Sequence, residues 1–172
     1  MTFSTHMVVA TAVALPVLHN PAAAFAVGLA SHYVVDAIPH WDWPLKSLEK
    51  KPEEGHFAST VNFSFGAISI DLLRIAIDTS MGLVALGVVY LIAGHAWSLI
   101  ALAAAAFGGI LPDGLQFLFF ATRARSRVLE YHQRFHDAIH TDNKIPHTEY
   151  VRGVLLQAPV FLIPLAVLLF AV

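Results

Sequence analysis

Two ionisable side chains sit inside an apolar stretch of nearly bilayer-crossing length: His32 and Asp36, between Ala22 and Ile38. Such groups are costly to place in an apolar span and are functional candidates by default. Four residues apart on a helix, they lie one turn above the other on the same face. Pro39 disfavours helical geometry in the residue before it, so this helix should stop near Ile38. His40 and Asp42 then fold back near its mouth. Imidazole and carboxylate at this spacing suit a hard or borderline divalent metal.

The rest of the chain agrees with a membrane setting. Of 172 residues, 57% are hydrophobic and 13% charged, against about 25% charged in an ordinary soluble domain. The net charge of −2 gives no basic excess that would point to nucleic acid. There is no cysteine, which removes disulfides and zinc–thiolate sites. Ten histidines, as many as lysine and arginine together, call for an explanation. The start of the chain lacks a basic region, so no cleaved signal peptide is expected.

Apolar segments and their punctuation predict an all-α, polytopic membrane bundle of about five helices in one domain. The expected helices are about 5–19, 21–38, 63–93, 96–120 and 151–172, that is, two hairpins and a C-terminal helix. Polar segments 39–60 and 121–150 separate them, the first opening with Trp41 and Trp43 as interfacial anchors. The first two helices are short for a full crossing. Gly28 precedes His32 by four residues, as Gly109 precedes Asp113, a weak hint of internal duplication.

Lysine and arginine concentrate in the two polar segments, so the positive-inside rule puts both in the cytoplasm, with the N-terminus inside and the C-terminus outside. That topology collects His6, His32, Asp36, His40, Asp71, Asp78, Asp113, His132, His136 and His140 at one face. His19 and His95 fall at the other.

Each feature has a plainer reading. His32 and Asp36 would satisfy each other as a buried hydrogen bond. His132, His136 and His140, at i, i+4 and i+8, would belong to a basic amphipathic helix on the membrane surface. Asp113, after Pro112, would cap a helix, and Asp71, Arg74 and Asp78 would form a local ion pair. Convergence of several such groups favours the metal reading. The expected ligands are His6, His32, Asp36, Asp78, Asp113, His136 and His140, with His132 a second choice and Asp137 orienting a ligand. Arg74 suits an anionic group such as a phosphate, and His40 is free to move a proton. His56 and His147 are expected at the surface. No phosphate-binding glycine loop, serine elbow or His-Glu-x-x-His helix is present.

Thr5-His6, Gly28-x-x-Ser-His32-x-x-x-Asp36-x-x-Pro-His40, Leu-Pro-Asp113 and the His136/His140 pair together resemble the membrane-bound metal-dependent hydrolase family, the LexA-binding inner-membrane hydrolase-like proteins. More distantly they are similar to zinc-dependent phospholipase C-like proteins. One or two divalent ions are expected, zinc favoured by the histidine content, and the location of the site together with the resemblance implies a phosphoester or lipid-like substrate. The resemblance also implies a site at the cytoplasmic side of the inner membrane. Two other classes are open: a small transporter using the His/Asp groups as an ion or proton path, and a scaffold without catalysis.

Overall fold

Eleven residues near the start, Phe3–Val13 (α1), form the helix around which the others pack. The computed structural model describes residues 1–49, 60–93, 96–122, 126–140 and 145–171. Within them the remaining helices are α2 (Pro21–Asp36), α3 (Phe65–Ile92), α4 (Leu99–Ala121), α5 (Arg127–Ile139) and α6 (Tyr150–Phe170). The described residues thus form an all-helical bundle of six α-helices. A two-residue antiparallel pairing, β1 (Leu48–Glu49) with β2 (Thr60–Val61), is the one strand contact among the described residues.

α1 is shorter than expected because Pro16 turns its end into a 3₁₀ turn, Leu15–Val17. Every residue from Ser4 to Thr11 is buried, and α2, α3, α4 and α6 all contact this helix. A helix apolar on all sides belongs in an interior. At about 1.5 Å per residue α1 rises only about 16 Å, roughly half the hydrocarbon thickness. Asn20 then starts α2 by accepting from the N–H groups of Ala22 (3.1 Å) and Ala23 (3.2 Å), with Pro21 in the first turn.

Three helices are long and apolar enough to cross a membrane: α3, α4 and α6. Their exposed side chains include Leu72, Ile77, Leu91, Phe107, Leu155 and Ile163. Such faces suit lipid, so the composition and the fold agree on a membrane protein. The sixth helix, α5, lies inside the segment expected as polar loop 121–150.

α2 and α4 make the most extensive helix pair, and small residues let them approach. A Cβ on Gly28 would collide with the Ala105 carbonyl oxygen. One on Gly108 would lie 2.5 Å from the Phe25 carbonyl oxygen, and one on Gly109 only 2.9 Å from that of His6. The Gly108–Gly109 step therefore holds α2 on one side and α1 on the other. Around it pack Ala14, Leu18, Ala24, Ala101, Leu102 and Ala105, with Met7, Val8, Leu86, Val89, Ala106 and Leu168 forming a second apolar cluster.

The chain leaving α2 is pinned from two sides. Trp41 is buried against Gly153 of α6, and its carbonyl accepts from Gln157. Trp41 is therefore a packing residue, while Trp43, edge-on to it at 5.1 Å, remains exposed. Asp71 on α3 accepts from the N–H groups of Lys46 (2.9 Å) and Ser47 (2.6 Å). His19 lines a pocket of about 530 Å³ with Leu15, Leu18, Ala96, Trp97 and Ser98, where the α1–α2 turn meets the start of α4.

Candidate metal centre

Asp36, in the last turn of α2 and fully buried, is the point on which the histidines converge. Its Oδ2 lies 3.1 Å from His32 Nε2, 3.3 Å from His136 Nε2 and 3.3 Å from His140 Nε2. Its Oδ1 lies 3.2 Å from His6 Nε2 and 3.7 Å from His40 Nε2. Asp113 on α4 presents Oδ1 at 3.8 Å from both His32 and His136, and Oδ2 at 4.0 Å from His6. Helices α1, α2, α4 and α5 each deliver at least one of these groups.

Local structure aims the rings. Pro112 interrupts the α4 hydrogen-bond ladder in the turn that contains Gly109, whose carbonyl accepts from His32 Nδ1 at 2.8 Å. His40 Nδ1 donates to the Ile38 carbonyl at 2.7 Å. A carbonyl only accepts, so both rings carry the proton on Nδ1 and turn Nε2 toward the carboxylates. The Gln116 amide lies 3.4 Å from His136 Nδ1, and an amide flip makes it an acceptor there too. His140 ends α5 with extended backbone (φ −61°, ψ 111°), and the Ile145 N–H bonds the His40 carbonyl at 3.1 Å, which holds the two histidine segments together.

A ring nitrogen lone pair facing a carboxylate is repulsive unless a proton or a metal cation stands between them. The distances fit a metal cation. His32 Nε2 and His136 Nε2 are 3.1 Å apart, and with Asp36 Oδ2 and Asp113 Oδ1 they outline a polyhedron, five of whose edges are 3.1–3.8 Å. Tetrahedral zinc with bonds near 2.0–2.1 Å has edges of about 3.3 Å. His6 Nε2 and Asp36 Oδ2 are buried and make no hydrogen bond. Two His/Asp groups, His32–Asp36–Asp113–His136 and Asp36–His40–His140, are close enough to hold a metal ion.

The structure thus brings together His6, His32, Asp36, His40, Asp113, His136 and His140. Asp78 and Arg74 are engaged elsewhere. Asp78 accepts from the N–H groups of Phe3 (2.6 Å) and Ser4 (3.3 Å) and from the Ser4 hydroxyl (2.5 Å), so it caps α1 from α3. Arg74 donates to the Pro44 carbonyl and lies 3.6 Å from Asp71, which fastens the 44–47 segment to α3. Arg134 is paired with Glu130 at 2.7 Å on the exposed side of α5. Asp137 accepts from Gln133 at 2.9 Å, so the expected partner role toward a ligand histidine passes to Gly109, Ile38 and Gln116. His56, His95, Arg123, Arg125 and Lys144 lie outside the described residues, as does the side chain of His147.

Two further groups neighbour the site: the Met1 ammonium, which sequence spacing missed, and His132, the second-choice ligand. The Met1 ammonium sits 3.2 Å from Asp36 Oδ1 and 2.7 Å from Asp42 Oδ1. Burial would lower its pKa, but the charges of Asp42, Asp36 and Asp113 outweigh that and raise it above the usual value. His132 stacks on His136 with ring centres 5.9 Å apart, and both its nitrogens are buried without a hydrogen bond. Burial, the largest cause, holds its pKa below the ordinary imidazole value, and the nearby His136 and His32 act in the same direction.

No family model, curated protein or solved structure matches this chain.

Proposed function

We propose that the protein is a membrane-embedded, metal-dependent hydrolase whose substrate is a phosphoester on an amphiphilic, lipid-like molecule. The observation that carries the reading is the orientation of His32. Its Nδ1–H is spent on the Gly109 carbonyl, and its Nε2 faces two carboxylates and a second imidazole. His32, Asp36, Asp113 and His136 hold a divalent ion, with His6 at their edge, and the mixed imidazole–carboxylate set favours zinc. Such an ion, when bound, would supply Lewis acidity toward water and a phosphoryl oxygen.

The chain's own residues divide the remaining work. Gly109, Ile38 and Gln116 orient the imidazoles. His40, with Nε2 turned to Asp36 and Asp42, is a poor candidate for the proton carrier. That role falls to His132, which lies beside the site and outside both ligand groups. Arg74 is committed to the 44–47 segment and is not assigned to the substrate. The motif resemblance to membrane-bound metal-dependent hydrolases points the same way.

The lipid-like substrate rests on α5. Its inner face carries Gln133 and His136, and its outer face exposes Val128, Tyr131 and Phe135. A short helix of this kind suits the bilayer interface. On the positive-inside rule the two lysine- and arginine-bearing segments, and with them the site, lie on the cytoplasmic side of the membrane.

Elemental analysis of the detergent-purified protein tests the reading. One or more equivalents of metal in the wild type, absent from the His32→Ala/Asp36→Ala variant, would be followed by a phosphoesterase screen. Metal in neither, with both proteins folded, would leave the scaffold reading. Transport in proteoliposomes, lost on replacing His19, would favour the transporter.

A further inference from the structure

We infer that the centre holds two divalent cations, with the Asp36 carboxylate shared between them and the second position built from Asp36, His40 and His140. This rests on the metal reading above and adds a second binding position to it. Asp36 faces both groups: its Oδ2 meets His32, His136 and His140, while its Oδ1 is the oxygen nearest His40 and also lies beside His6. His40 belongs to no part of the first group, so an ion held by His32, Asp36, Asp113 and His136 leaves its needs unmet.

Those needs are specific. His40 is 1% exposed, and its Nδ1 proton is already given to the Ile38 carbonyl. Its Nε2 makes no hydrogen bond, although Asp42 Oδ1 lies 3.3 Å away and Asp36 Oδ1 3.7 Å. A buried acceptor aimed at two further acceptors costs free energy unless a cation or a second proton joins them. The His140 ring is 4.9 Å from that of His40 and is brought there by the end of α5 and the Ile145–His40 backbone bond. Imidazole, imidazole and a bridging carboxylate form a suitable donor set for zinc or manganese, with Asp42 at its border. The other positive charge at this place is the Met1 ammonium, on Asp36 Oδ1 and Asp42 Oδ1.

Manganese reads out number and proximity at once. The full chain in detergent, stripped and reloaded with Mn²⁺, should bind two equivalents and give the multiline paramagnetic resonance spectrum of an exchange-coupled pair. His40→Ala and, independently, His140→Ala should bind one equivalent and give the six-line spectrum of an isolated ion. A single uncoupled equivalent in the wild type, lost in His32→Ala, would overturn the second position and leave the Met1 ammonium as the cation there. The first site would stand. No bound manganese or zinc in the wild type would overturn both. Two coupled ions retained in folded His40→Ala and His140→Ala proteins would overturn the assignment of these ligands. The wild-type spectrum needs no variant to fold.

Discussion

His32 Nε2 on α2 and His136 Nε2 on α5 face each other at 3.1 Å, although 104 positions separate them in the chain. Two neutral imidazoles meet this way through one shared proton or through a cation bound by both lone pairs. With His32 Nδ1 already donating to Gly109, a cation also resolves the contact with Asp36.

Metal should therefore stabilise the fold. A ligand at 100 times its Kd adds about 2.7 kcal/mol when only the folded state binds it. Zinc or manganese should raise the melting temperature of chelator-treated protein in detergent, and His32→Ala should reduce the rise. An equal rise in His32→Ala would mean that the ions act elsewhere.

The glycines of the α1–α2–α4 contact give a second expectation. Gly28→Ala and Gly109→Ala place a methyl group against Ala105 and against His6 backbone, respectively. Overpacking of this kind costs about 1–3 kcal/mol. It should also weaken metal binding, because the same contacts set the spacing of His6, His32 and Asp113. Gly87→Ala on α3 meets nothing within 4 Å and replaces a poor helix former, so it should be neutral or stabilising by up to about 1 kcal/mol. Thermal melts of the three variants side by side check the order.

Asp78 separates a structural carboxylate from a ligand. Its contacts are Phe3 and Ser4 at the start of α1. Loss of a helix cap costs about 0.5–2 kcal/mol, so Asp78→Ala should lower the melting temperature while keeping the wild-type metal stoichiometry. A folded Asp78→Ala protein that binds less metal would return Asp78 to the ligand set.

These residues also mark how far the sequence could be read. The His32–Asp36–His40 grouping was legible because i, i+4 spacing and Pro39 are local signals. Convergence of His6, Asp113, His136 and His140 on it could be expected from the clustering of basic segments at one end. The local Arg74–Asp71 pair was legible in the spacing, but the backbone partners of Asp78 and Arg74, 75 and 30 positions away, were not. α1 was expected to be longer because its apolar run continues to Leu18, whereas Pro16 shortens the helix. α5 lay within a stretch of low hydropathy, where an amphipathic helix shows only through its period. His140 spacing suggested a third turn, yet the helix ends at Ile139 and turns that side chain by a change of backbone.

The outer face of α5 makes the last prediction. Val128, Tyr131 and Phe135 are 77%, 74% and 53% exposed, spaced i, i+3 and i+7 along one face, opposite the buried Gln133 and His136. Full exposure of three large apolar groups is unfavourable in water by roughly 25 cal/mol per Å², and a bilayer interface removes it. The chain has no cysteine, so a single one can be introduced and labelled without background. A nitroxide on Tyr131→Cys in liposomes should be relaxed more by oxygen, which partitions into lipid, than by a water-soluble nickel chelate. A nitroxide on Arg134→Cys, on the polar flank, should show the reverse. If both labels respond equally to the nickel chelate, α5 stands in water, and the case for a lipid-like substrate loses its support while the metal centre is untouched.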